Sequence, residues 1–188
     1  YNSIMLRAKL TIAGSNFIFT HINENYKEYL SNEKKLRVIF RGINVDYYNQ
    51  KNISILKQEK LKQEWGLTSS KFTILMPGRL TYWKGQEKFI ESLNILIEDY
   101  NFTNFQAIML GSEQGRTVYR KKLINLVERY SLNQKVKFIN HCKEMPLAYS
   151  LADVVVSASV EPEAFGRVAI EAQSMGKPIV ASNIGGSK

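Results

Sequence analysis

From Phe72 onward the chain alternates five short apolar runs with four helical stretches, and this alternation constrains the fold more than any other feature. Phe72 to Met76 is an apolar run closed by Pro77-Gly78, the signature of a buried strand. Phe89, Leu93, Leu96, Ile97 and Tyr100 then recur at helical spacing. Phe105 to Leu110 predicts a second strand, and Tyr119, Leu123, Leu126, Val127 and Tyr130 mark a second helix. A third strand, Val136 to Ile139, precedes a short helix over 145–151. Asp153 to Ser157 predicts a fourth strand, 165–175 a helix closed by Gly176 and Pro178, and 179–182 a fifth strand. Strands separated by helices call for an α/β fold, a Rossmann-like parallel sheet with helices on both faces.

In such a sheet ligands bind outside the carboxyl ends of the strands. That edge can be read off directly: Arg79 to Lys84, then Gly111-Ser112, His141-Cys142, Glu161 to Gly166, and Gly185-Gly186. The residues with chemical capability converge on one rim.

Residues 1–50 form a different unit. The patterning of 1–10 is helical, Ile12 to Phe19 reads as a strand, Ile22 to Leu30 as a helix and Leu36 to Phe40 as a strand. Arg41 to Asn44 is a turn, and 53–65 fits an amphipathic linking helix. Two strands and two helices are too few for an independent core. Residues 1–50 are therefore expected to end a preceding domain, with 51–188 a second domain truncated at its C-terminal end. The chain opens on Tyr1 and closes on a loop, so both ends are expected to be cuts.

The net charge of +9 is spread along the sequence. It suits anionic partners, phosphates or an acidic membrane face, as well as a plain solvated surface. No nucleic-acid motif accompanies it, so nucleic acid is not expected. The one cysteine, Cys142, fits a reducing, cytoplasmic compartment. No stretch approaches the ~20 apolar residues of a membrane span. Only three aspartates exist, Asp46, Asp99 and Asp153, and none forms an Asp-x-Asp pair. No metal site and no cofactor are expected.

Two segments carry the chemistry. Gly78 to Gly85 is a glycine-bracketed loop holding Arg79 and Lys84. A guanidinium that forks onto phosphate oxygens and a mobile ammonium together suit a diphosphate, although both could simply face water. It is not a P-loop, because no Gly-Lys-Ser/Thr follows. The second segment, Glu161 to Glu171, places Glu163 just before a helix and Glu171 at the border of that helix's apolar face. Glu171 either pairs with Arg167 at i,i+4 or accepts hydrogen bonds from the vicinal hydroxyls of a ligand.

These segments, with Glu163 and Glu171 separated by seven residues and Gly176-Lys177-Pro178-Ile179-Val180-Ala181 leading to Gly185-Gly186, resemble the glycosyl transferases group 1 family. Arg41 to Asp46 resembles the family's interdomain connector. The resemblance implies a retaining, metal-independent glycosyltransferase of the GT-B fold. Its substrates would be a nucleoside-diphosphate sugar and an acceptor sugar or lipid-linked glycan, in cell-envelope polysaccharide, lipopolysaccharide or glycolipid synthesis. It also implies roles. Arg79 and Lys84 would neutralise the leaving diphosphate, Glu163 would hold the donor sugar, and Glu171 would bind the ribose. Gly78, Gly111 and the backbone of Phe165, Gly166, Arg167 and Val168 would complete the donor pocket. The base would lie near His141, Cys142 and Met145. A polar loop residue is an equal reading of His141. Without the facing domain the chain is expected to bind nucleotide and transfer nothing. An epimerase or phosphorylase relative, or a module binding nucleotide or anionic lipid without chemistry, are the other readings.

Overall fold

The computed structural model describes residues 6–30 and 35–188. Seven strands form two parallel sheets. The larger contains β3 (Phe72–Pro77), β4 (Phe105–Leu110), β5 (Val136–Ile139), β6 (Val154–Ser157) and β7 (Ile179–Ala181), ordered β5-β4-β3-β6-β7. Every pairing is parallel, with Ile74 opposite both Ala107 and Val154. The chain builds outward from β3 to β5, returns to the other side at β6, and so creates a topological switch point between β3 and β6.

Period-two alternation sorts the strand residues between two core layers. Ile74, Met76, Phe105, Ala107 and Met109 face one layer. It is filled by Phe89, Ile90 and Leu93 of a helix over Gln86–Glu98 and by Leu123 and Val127 of one over Thr117–Arg129. Leu75, Ile108, Leu110 and Val155 face the other. There they meet Ala148 and Tyr149 of the helix Met145–Ser150 and Ala172 of the helix Arg167–Ser174. Trp65 follows a helix over Ile55–Glu64 and closes this second layer with Tyr48. Helices therefore cover both faces, as the alternation requires.

The smaller sheet pairs β1 (Thr11–Ala13) with β2 (Leu36–Val38). Here the structure departs from the sequence reading. The segment expected to continue as a strand to Phe19 turns at Gly14 and becomes a helix over Asn16–Asn25. Ser15 caps that helix, its Oγ accepting from the amide of Ile18 at 3.2 Å. Ile18, Phe19, Ile22 and Tyr26 pack as one helical face onto Ala13, Leu30 and Leu36. The expected helix over 22–30 is correspondingly replaced after Asn25 by a 3-10 turn at Lys27–Tyr29. The expected helical patterning of 1–10 lies partly outside the described residues, and 6–9 form turn and bend. In chain order the α-helices are α1 (Asn16–Asn25), α2 (Ile55–Glu64), α3 (Gln86–Glu98), α4 (Thr117–Arg129), α5 (Met145–Ser150) and α6 (Arg167–Ser174).

Candidate functional site

The loops after β3, β4 and β6 meet at the switch point, and their backbones touch closely enough to exclude side chains. A Cβ on Gly111 would overlap the Gly78 carbonyl, and one on Gly85 would overlap the backbone of Ala158. Gly85 also sits at φ 75°, a left-handed conformation that ends the 3-10 turn Tyr82–Lys84 and opens α3. The close approach of the loops after β3 and β4 is thus allowed by Gly111, whereas a Cβ on Gly78 would meet only the Lys84 side chain at ordinary contact distance. Gln86, almost wholly buried, donates from Nε2 to the Arg79 carbonyl at 2.8 Å and fixes the loop from behind.

The two cations of this loop have different surroundings. Lys84 forms a 2.7 Å ion pair with Glu163, and both side chains are nearly buried. Ser159 also donates to the same Glu163 oxygen. Arg79 is exposed and lies against the Trp83 ring, with Cζ 5.7 Å from the centroid, while Lys84 Nζ lies 4.6 Å from it. The family resemblance implied separate tasks for Lys84 and Glu163. Their contact joins the loop after β3 to the loop after β6, which are adjacent only because β3 pairs with β6.

Glu171 is buried deeper than the border position read from the helical wheel, at 6% exposure. Its Oε1 accepts from Arg167 Nη2 at 2.7 Å and its Oε2 from the Tyr149 hydroxyl at 2.8 Å. The i,i+4 pair is therefore present, with a second donor from α5. Burial, and then the neighbouring Glu171 carboxylate, raise the Tyr149 phenol well above the ordinary tyrosine range. The same two causes push Tyr48 up to about 12. Tyr48 belongs to the connector before α2. Its ring meets that of Tyr149 at 6.0 Å, and its carbonyl accepts from Ser174 of α6 at 2.7 Å.

The helix bearing Glu171 begins later than expected, at Arg167. Gly166 is its left-handed N-cap and supplies no side-chain bond. The first amides of α6 therefore lack a side-chain cap, a setting that favours an anion. Phe165 precedes the helix and is half-buried. Behind it, Gly186 packs where a Cβ would strike Ala164 and Phe165, and its amide donates to the Glu163 carbonyl at 2.6 Å.

Beyond β5 lie the residues expected near the base. His141 is exposed and Cys142 half-buried, and both line a cleft of about 360 Å³ with Leu61, Trp65 and Glu144. Burial pushes the Cys142 thiol up. Met145 opens α5 and packs against the second core layer.

Tyr149, Ser159, Trp83 and Tyr48 were not singled out as site residues from sequence. One signal was available for Tyr149, since a tyrosine within an apolar helix needs a hydroxyl partner. The Ser159 and Tyr48 contacts arise only from tertiary neighbours.

The sequence profile described as "Glycosyl transferases group 1" matches residues 57–188. The chain belongs to the glycosyl transferases group 1 family. An uncharacterized glycosyltransferase of Methanocaldococcus jannaschii is 34% identical over 156 residues, covering 82% of this chain and 38% of that protein. A glycosyltransferase from Rickettsia africae superposes with a TM-score of 0.86 at 36% identity, over 99% of this chain and 47% of that one. Anabaena HepE, solved in complex with UDP-glucose, gives 0.82 at 29% identity, over 100% and 50%. The chain thus spans half or less of the length of these group 1 relatives. The structural neighbours are GT-B glycosyltransferases, and the parallel five-stranded sheet flanked by helices agrees with them.

Proposed function

We propose that this chain is the donor-binding part of a group 1 enzyme that transfers a sugar from a nucleoside-diphosphate sugar to an acceptor with retention of configuration. The observation that carries the reading is the gathering of Arg79, Lys84 and Glu163 at the carboxyl edge of one parallel sheet, with Glu171 on the helix that follows the Glu163 loop. Two cations stand where a diphosphate would leave. Fixed charges in a part-buried site stabilise a leaving group without reorganising, so the chemistry needs no metal in this account. Glu163 holds sugar hydroxyls, and Glu171 accepts from the ribose through the lone pairs its protein donors leave unused.

A uridine nucleotide is the first candidate donor, supported by the UDP-glucose complex of the Anabaena relative. The cleft beside His141 and Cys142 then receives the base. Residues 1–50 are the end of a first, acceptor-side domain, consistent with their separate two-stranded sheet. The pathway is cell-envelope glycan or glycolipid synthesis on an acceptor sugar or lipid-linked glycan, at the cytoplasmic side of the membrane. The net charge of +9 supports attachment to an anionic surface. Against it, Arg120 and Lys122 are engaged by Glu113 and Glu87. Among the described residues no helix is long and apolar enough to cross a membrane.

Titrating this chain with UDP-, GDP- and ADP-sugars, with the nucleosides as controls, tests the reading. One nucleotide sugar binding well above its nucleoside supports it. Uptake of none at millimolar concentration overturns it.

A further inference from the structure

Arg79 differs from Lys84 in what holds it. Lys84 has a carboxylate at 2.7 Å, a neighbouring serine on that same carboxylate, and the Trp83 ring. Among the described residues the Arg79 guanidinium makes no hydrogen bond and no ion pair, and its partner is the Trp83 face. Only its main-chain carbonyl is tied, by Gln86. The loop therefore fixes the Arg79 backbone and leaves the long side chain to one aromatic ring.

Trp83 is well placed to take that part. It sits in the short 3-10 turn that Gly85 ends, and its carbonyl accepts from the amide of Val160 at 2.9 Å, which ties the turn to the loop after β6. An indole face carries a negative quadrupole and attracts both a guanidinium and an ammonium. Here one ring gathers both, and so offsets the repulsion between two like charges on one loop. Without the ring a free arginine would lose its full rotamer freedom at the moment of binding. With it, part of that ordering precedes the ligand.

We infer that Trp83 is a positioning residue for diphosphate recognition, its indole face holding the Arg79 guanidinium beside Lys84 before ligand arrives. The inference rests on the reading of this rim as a nucleoside-diphosphate site. Trp83 itself need not touch the ligand. Its contribution is electrostatic, through the charge on its ring face, and this separates it from a residue that merely fills space.

UDP and uridine titrated into wild type, Trp83→Phe and Trp83→Leu provide the first test. Trp83→Leu should weaken UDP about two- to fivefold, the scale of an exposed cation–π contact, and leave uridine and the melting temperature unchanged. Trp83→Phe should keep most of the affinity. The second test replaces tryptophan by mono-, di- and trifluorotryptophan, rings of nearly constant shape and progressively weaker face charge. UDP affinity should fall stepwise in the wild-type background and stay flat in labelled Trp83→Phe, where only Trp65 carries the label. A flat series in both backgrounds overturns the inference. So does an unchanged UDP affinity in Trp83→Leu while wild type binds UDP. Failure of wild type to bind any nucleoside diphosphate would instead remove the donor-site reading beneath it, and the inference with it.

Discussion

Lys84 and Glu163 close a 2.7 Å ion pair across the switch point of the sheet, joining the loop expected to meet phosphate to the loop expected to meet sugar. In the proposed donor site the pair makes the two halves interdependent before any ligand is present. There a diphosphate would share Lys84 with Glu163, so each group's preference for its ligand would be set partly by the other. Ser159 donates to the same oxygen and gives the carboxylate a second partner that does not depend on the lysine.

That sharing gives the first prediction. Glu163→Gln removes the carboxylate that competes for Lys84, so UDP should bind no more weakly than to wild type. The intact nucleotide sugar, which would use Glu163 directly, should lose about 1–3 kcal/mol. Calorimetry with both ligands checks this. A weaker UDP complex in Glu163→Gln would mean that the ion pair organises the phosphate loop instead of competing with ligand.

Glu171 should behave differently, because ribose is common to every nucleotide. Glu171→Gln should weaken UDP and UDP-sugar alike, by about 1–3 kcal/mol. It should also lower the melting temperature, since Arg167 and Tyr149 both lose a charged, largely buried acceptor. A lower melting temperature with unchanged affinity would confine Glu171 to structure.

Alkaline stability follows from the same cluster. The folded protein holds the Tyr149 proton above the ordinary value near 10 that applies when unfolded. Its contribution is complete below about pH 10. It is lost as pH rises further, because the unfolded chain releases a proton that the folded chain keeps. One such phenol can contribute a slope of up to about 1.4 kcal/mol per pH unit. Chemical denaturation from pH 9 to 11.5 should therefore show stability falling above pH 10, and falling less steeply in Tyr149→Phe. Equal slopes in the two proteins would contradict the assignment.

The sheet was legible because its strands are mostly apolar short runs, the first two closed by Pro77-Gly78 and Gly111. Val136–Ile139 and Phe105–Leu110 match the apolar runs end for end. The first unit was not, because Phe17-Ile18-Phe19 suits a strand by propensity. Ser15, a capping residue one step earlier, decides for helix. For the site, topology alone brought Arg79, Lys84 and Glu163 to one edge. Their protein partners were hidden. Glu163 meets Lys84 only through the β3–β6 pairing, and Glu171 meets Tyr149 only through the packing of α5 beside α6. Spacing along the chain records neither contact.

The central claim is that the rim recognises a diphosphate through Arg79 and Lys84. It is tested most directly by titrating UDP and uridine into wild type, Arg79→Gln and Lys84→Gln. Each substitution should weaken UDP by roughly 1.5–3 kcal/mol, the scale of hydrogen bonds to charged groups, and leave uridine almost unchanged. Equal losses for UDP and uridine, or none for UDP, would contradict it.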